Sequence, residues 1–188
     1  NMINLKFEEK TYSIKNRTDE FTIGEFEDIC SILNSDTLTK VDKWSKVFKY
    51  LGVPEDVVDE FDAFDFIEMI KQFNIFDEQS SDYVKEITID GKVYVLFDEK
   101  FKVTVKENAL IESFIQKNSE KYIGELMAIL YKLEGTDKTM WYDNAHIKFK
   151  AKQFRTNVTI NNALPIIKYL AKKLVKESDL VFEDATVD

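Results

Sequence analysis

The dipeptide Asp90-Gly91 stands between Ile87 and Ile89 on one side and Val93 and Val95 on the other. Both central positions of a type I′ turn require positive φ, which Asp and Gly adopt at low cost, and the flanking alternation gives each strand one apolar face. An antiparallel hairpin here is the tightest local constraint in the chain. Phe101, Val103 and Val105 continue the alternation and predict a third strand. Ile3, Leu5 and Phe7, then Tyr12 and Ile14 after Glu8-Glu9-Lys10, predict a second hairpin at the N-terminus.

Between and after these hairpins the period changes from two to that of a helix. Thr22 and Glu25 form a capping box, followed by Ile23, Phe26, Cys30 and Leu33 on one face. A helix from about Thr39 carries Val41, Trp44, Val47, Phe48 and Leu51 inward, with Lys40, Lys43, Lys46 and Lys49 outward, and Gly52 ends it. Pro54 restarts a helix that Asp62 and Asp65 interrupt, and Phe66, Met69, Ile70 and Phe73 continue another. Beyond the Asp-Gly hairpin, Leu110, Ile111, Phe114 and Ile115 predict one helix. A Ser119-capped stretch with Ile123, Leu126, Met127, Leu130 and Leu133 predicts the next. Residues 145–155 suit a strand, with Ile147, Phe149 and Ala151 alternating with lysines, and equally a helix through Ile147, Ala151 and Phe154. A final helix starts near Thr159 or Asn161 and accepts Pro165 close to its first turn.

The expected fold is therefore α+β and mostly helical, built as two hairpin-plus-helices lobes with short antiparallel strands. Residues 1–76 form the first lobe, the polar stretch 77–84 a linker, 85–177 the second lobe and 178–188 an acidic tail. No residue-level identity between the lobes stands out. A chain of 188 residues with 44% apolar and 32% charged side chains, 5 Gly and 2 Pro can bury a core without disulfides. Its one cysteine, Cys30, excludes an internal disulfide and reads as a core residue. Met2 after Asn1 reads as a natural initiator, and an internal fragment would begin in the same way. No apolar run reaches the roughly 18 residues that span a bilayer, and no signal-peptide pattern opens the sequence, so folding inside the cell without membrane is expected.

The net charge of −9 is unevenly spread: residues 1–139 carry −11, residues 140–177 carry +6 and residues 178–188 carry −4. An acidic body repels phosphate backbones, which leaves only the basic segment to bind nucleic acid. His146 is the only histidine, which removes zinc sites built on two histidines and weakens Ser-His-Asp or Cys-His schemes. The acidic run Glu55, Asp56, Asp59, Glu60, Asp62 and Asp65 has helical spacing, unlike a calcium loop, and reads as a solvated face, with an electrostatic docking surface as the alternative. The five glycines are isolated, so no phosphate-binding loop is present. No catalytic residue, metal or cofactor is expected, and the chain reads as a non-enzyme.

Two features remain as interface candidates. Trp141 and Tyr142 form a large apolar pair in an expected loop, where core packing explains them less easily. Lys148, Lys150, Lys152 and Arg155, interleaved with Ile147, Phe149 and Phe154, form the basic-aromatic cluster. Its bland reading puts the aromatics in the core and the lysines in water. Its functional readings are an acidic protein partner or, as the alternative, nucleic acid bound along 146–176.

The order of features from about residue 85 resembles tail-assembly and baseplate-assembly proteins of tailed bacteriophages. It rests on Ile123, the run Leu126-Met127-Ala128-Ile129-Leu130-Tyr131-Lys132, Tyr142-Asp143, Phe154 and the helix entered through Thr159 to Ala163, together with Thr22-Ile23-Gly24-Glu25-Phe26 upstream. The resemblance implies a virion structural or assembly protein that contacts other proteins of the same assembly or copies of itself. It also implies folding in the cytoplasm of a host bacterium.

Overall fold

The computed structural model describes residues 2–76, 82–96, 104–135 and 144–184, with side chains at 118, 119, 144, 145 and 174–184 left aside. The first hairpin pairs β1 (Ile3–Phe7) with β2 (Lys10–Ile14) across a two-residue turn, in the register Ile3 to Ile14 and Phe7 to Lys10. Helix α1 (Ile23–Leu33) follows, its Thr22 hydroxyl and Glu25 carboxylate capping each other's backbone N–H groups. A second capping box, Thr39 with Asp42, opens α2 (Lys40–Tyr50), and Gly52 at φ 95° turns the chain out of it. Asp62 separates α3 (Glu55–Glu60) from α4 (Ala63–Ile70) by accepting the N–H groups of Phe64 and Asp65.

The Asp-Gly signal is obeyed: β3 (Glu86–Ile89) and β4 (Lys92–Leu96) pair antiparallel around Asp90 and Gly91, at φ 50° and 73°. The third strand of this sheet differs from the expected one. Residues 101–103 lie outside the described residues, and Val105 begins α5 (Val105–Asn118), where it is exposed. The start is set by Thr104, which exchanges capping bonds with Glu107. The strand that does join is β5 (Tyr131–Leu133), beside β4. It takes over directly from α6 (Ile123–Leu130), so the predicted helix through Leu133 ends one turn early. Ser119 heads a short 3₁₀ turn, Ser119–Lys121, and does not cap α6. Residues Asn144–Asn157 form helix α7, which settles the open reading of that segment, and α8 spans Ile160–Asp184.

The mostly helical α+β class is thus what the chain adopts. Its buried residues form one cluster from Ile3 to Leu170. The two halves meet at α1. Ile23 donates to the Val158 carbonyl at 2.9 Å and Ile160 to the Phe21 carbonyl at 2.9 Å, a short antiparallel bridge between the start of α1 and the start of α8. Of the predicted linker, 77–81 lies outside the described residues. Its end is packed, with the Val84 carbonyl accepting the Tyr131 hydroxyl at 2.6 Å. No helix among the described residues is long and apolar enough to cross a membrane.

Candidate protein-binding surface

Helix α7 carries most of the basic cluster, and its two faces treat charge in opposite ways. At 100° per residue, Ile147, Ala151 and Phe154 share the inward face, and all three are buried. Lys150 falls on the same face and is only 7% exposed. Its Nζ donates to the Tyr131 carbonyl at 2.8 Å and lies 5.7 Å from the centre of the Tyr94 ring. Burial and the neighbouring charge of Lys132 push the Lys150 ammonium down to about 8, with Glu107 opposing the shift. Beneath it, Lys132 and Glu107 form a buried ion pair, and Glu107 also accepts from the Thr104 backbone.

Arg155 closes the inward side at the junction of the halves. Its guanidinium donates to Glu27 of α1 and Glu125 of α6, and Glu27 accepts the Gly124 N–H at 3.0 Å. Burial pushes the Glu27 carboxyl up, and Arg155 and the Gly124 N–H pull it back. The two carboxylates hold the Arg155 guanidinium above its ordinary value despite its burial. The room for this contact comes from glycine: a Cβ at Gly124 would lie 2.9 Å from Arg155 Cγ, and one at Gly24 3.3 Å from the Arg155 carbonyl oxygen. Both glycines sit in an Ile-Gly-Glu triplet that opens a helix, Ile23-Gly24-Glu25 and Ile123-Gly124-Glu125. The repeated triplet places a glycine against Arg155 from each half.

The outward face of α7 is different. Phe149 is 62% exposed at its centre, with Lys152 one turn on and Lys148 and Thr156 exposed beside it. Neither Lys148 nor Lys152 makes an ion pair among the described residues. The expected division into buried aromatics and solvated lysines therefore fails at two positions. Phe149 is outside because it lies two residues, about 200° of helix rotation, from Ile147, and Lys150 is inside because Tyr131 offers its ammonium an acceptor. Of the candidate residues, Lys148 and Lys152 flank Phe149, Lys150 and Arg155 are engaged within the fold, and Trp141 and Tyr142 lie outside the described residues.

A polar cleft of about 180 Å³ lies between α1 and the 3₁₀ turn, lined by Glu27, Cys30, Ser31, Asn34 and Lys121. Its reactive groups are committed elsewhere. Glu27 holds Arg155, and burial pushes the Cys30 thiol up to about 12, so it stays protonated at neutral pH. Among the described residues no three His, Cys, Asp or Glu side chains gather as a metal site would require. No family model matches the chain, and no curated protein or solved structure matches it.

Proposed function

We propose that this chain is a non-enzymatic protein-binding component, of the tail- or baseplate-assembly kind its sequence resembles, and that the outward face of α7 receives an acidic protein partner. The observation that carries this reading is Phe149, a large ring left in water at the centre of a face whose lysines make no ion pair among the described residues. Exposed aromatics ringed by charge are the residues from which interfaces draw most of their energy, the ring supplying burial and the charges orientation. Withdrawal of Lys150 and Arg155 into the fold thins the cationic track that a phosphate backbone would follow, so the protein partner is favoured over nucleic acid.

A photo-crosslinking amino acid at position 149, added as purified protein to its native lysate, tests the reading. One defined protein should be trapped, and Lys148→Glu with Lys152→Glu should abolish the capture. Absence of any defined crosslink, or a retarded nucleic acid whose binding falls steeply with salt, would sink it.

A further inference from the structure

A second exposed aromatic face exists, and its charge has the opposite sign. On α4, Phe64 is 81% exposed and Ile67 lies exposed beside it. Glu60 at the end of α3, Asp62, and Asp65 lie within four residues of Phe64 along the chain, all exposed and without a basic partner among the described residues. Glu68 is matched by Lys71 at 2.5 Å, and Lys49 by Glu55 and Asp59, which leaves Asp56, Glu60, Asp62 and Asp65 as the anions of this stretch with no ion pair among the described residues.

Each face therefore offers what the other lacks: a ring amid cations on α7, and a ring amid anions on α3 and α4, none of them matched among the described residues. The two belong to different halves of the chain and make no ion pair with each other within one molecule. We infer that the occupant of the α7 face is a second copy of this chain, which presents its Phe64 face so that Lys148 and Lys152 meet Glu60 and Asp65. This rests on the protein-binding reading of α7 and names the partner. Because the two surfaces differ, the contact is heterologous, and a copy bound through one face still presents the other. The repulsion between copies of net charge −9 acts over distance and is screened beyond about 8 Å at physiological salt, whereas the opposed charges act at contact.

Sedimentation velocity of the full chain from about 5 to about 500 µM, where a small interface would be dissociating, reads the contact. The sedimentation coefficient of the unaltered chain should rise with concentration. Lys148→Glu/Lys152→Glu and Glu60→Lys/Asp65→Lys should each weaken association at least about tenfold, with far-UV circular dichroism unchanged. An equimolar mixture of the two variants should associate again, since the mixed pair opposes unlike charges at both of its possible contacts, one of them unaltered; a variant that had lost its fold would not be rescued this way. An unaltered chain that stays monomeric throughout, or a mixture no better than its parts, overturns the inference. If the chain is monomeric and the crosslinker at 149 still traps a different protein, the second copy is wrong and the protein-binding reading stands. If nothing is trapped, both fall.

Discussion

The two halves of the chain fill their shared core by different means. In the first half the interior is a mesh of rings: Phe48 packs edge-on to Phe66 at 5.3 Å and Phe73 at 6.2 Å, and Trp44 meets Phe73 at 5.0 Å. In the second half the interior admits a cluster of charge, with Glu107, Lys132 and Lys150 all below a tenth exposed, whereas the first half buries only Glu27 to that degree, at the junction with Arg155, among the described residues. Ring packing is nondirectional enough to tolerate adjustment and is indifferent to pH. A buried ion pair must keep both members, because its attraction only offsets the cost of taking each charge out of water. The first half should thus respond to lost volume and the second to lost partners.

The largest effects come from removing one member of each device. Phe48→Ala should cost about 3–5 kcal/mol through the cavity it leaves, and Lys132→Met a similar amount, about 3–5 kcal/mol, through the stranded Glu107. Denaturant unfolding separates the causes. Replacing both partners, Glu107→Leu with Lys132→Met, should recover most of the second loss, and if the double variant is as unstable as the single one, the pair is not what that region depends on.

Next in size is a pH dependence centred on Lys150 of the second half. Lys150 is held at about 8 against 10.5 for the free side chain. Between those values the folded chain has released a proton that the unfolded chain keeps. Stability therefore rises with pH across that window, by about 3 kcal/mol in full, and the penalty is complete below pH 8. The groups facing Lys150 are Lys132, Glu107, Tyr94 and Tyr131. Burial pushes both tyrosines up, so above pH 10 they oppose the gain. The difference between the unaltered chain and Lys150→Met, followed from pH 7 to 10.5, isolates the lysine; a flat difference would contradict its burial in charged form.

Smaller effects probe the junction and the surface. Gly124→Ala should destabilise by about 1–3 kcal/mol through overpacking against Arg155, although alanine favours a helix by about 1 kcal/mol; a more stable variant would mean that Arg155 is free to move. Phe149→Ser should leave thermal unfolding within about 0.5 kcal/mol, as exposed substitutions do, and a large loss would show that the ring is part of the core.

Much of the architecture was legible because it is written in neighbours. The Asp90-Gly91 turn, the Thr22 and Thr39 starts and the Gly52 stop each depend on residues within a few positions. Thr104-x-x-Glu107 was equally local, but the alternation through Val105 masked it. The α7 surface was half legible. Lys148 and Lys152 were named, while Phe149 was placed in the core and Phe64 was not singled out, since periodicity marks two sides of a helix without saying which is covered.

Local backbone chemistry and apolar periodicity, acting over one or two turns of chain, were enough to specify the α+β class, both hairpins and most helix starts. The fates of Lys150, Arg155 and the segment 131–133 depended on groups 19 to 128 residues away. Whether a charge can be buried turns on an acceptor arriving from another element, and that meeting exists only once the chain has packed.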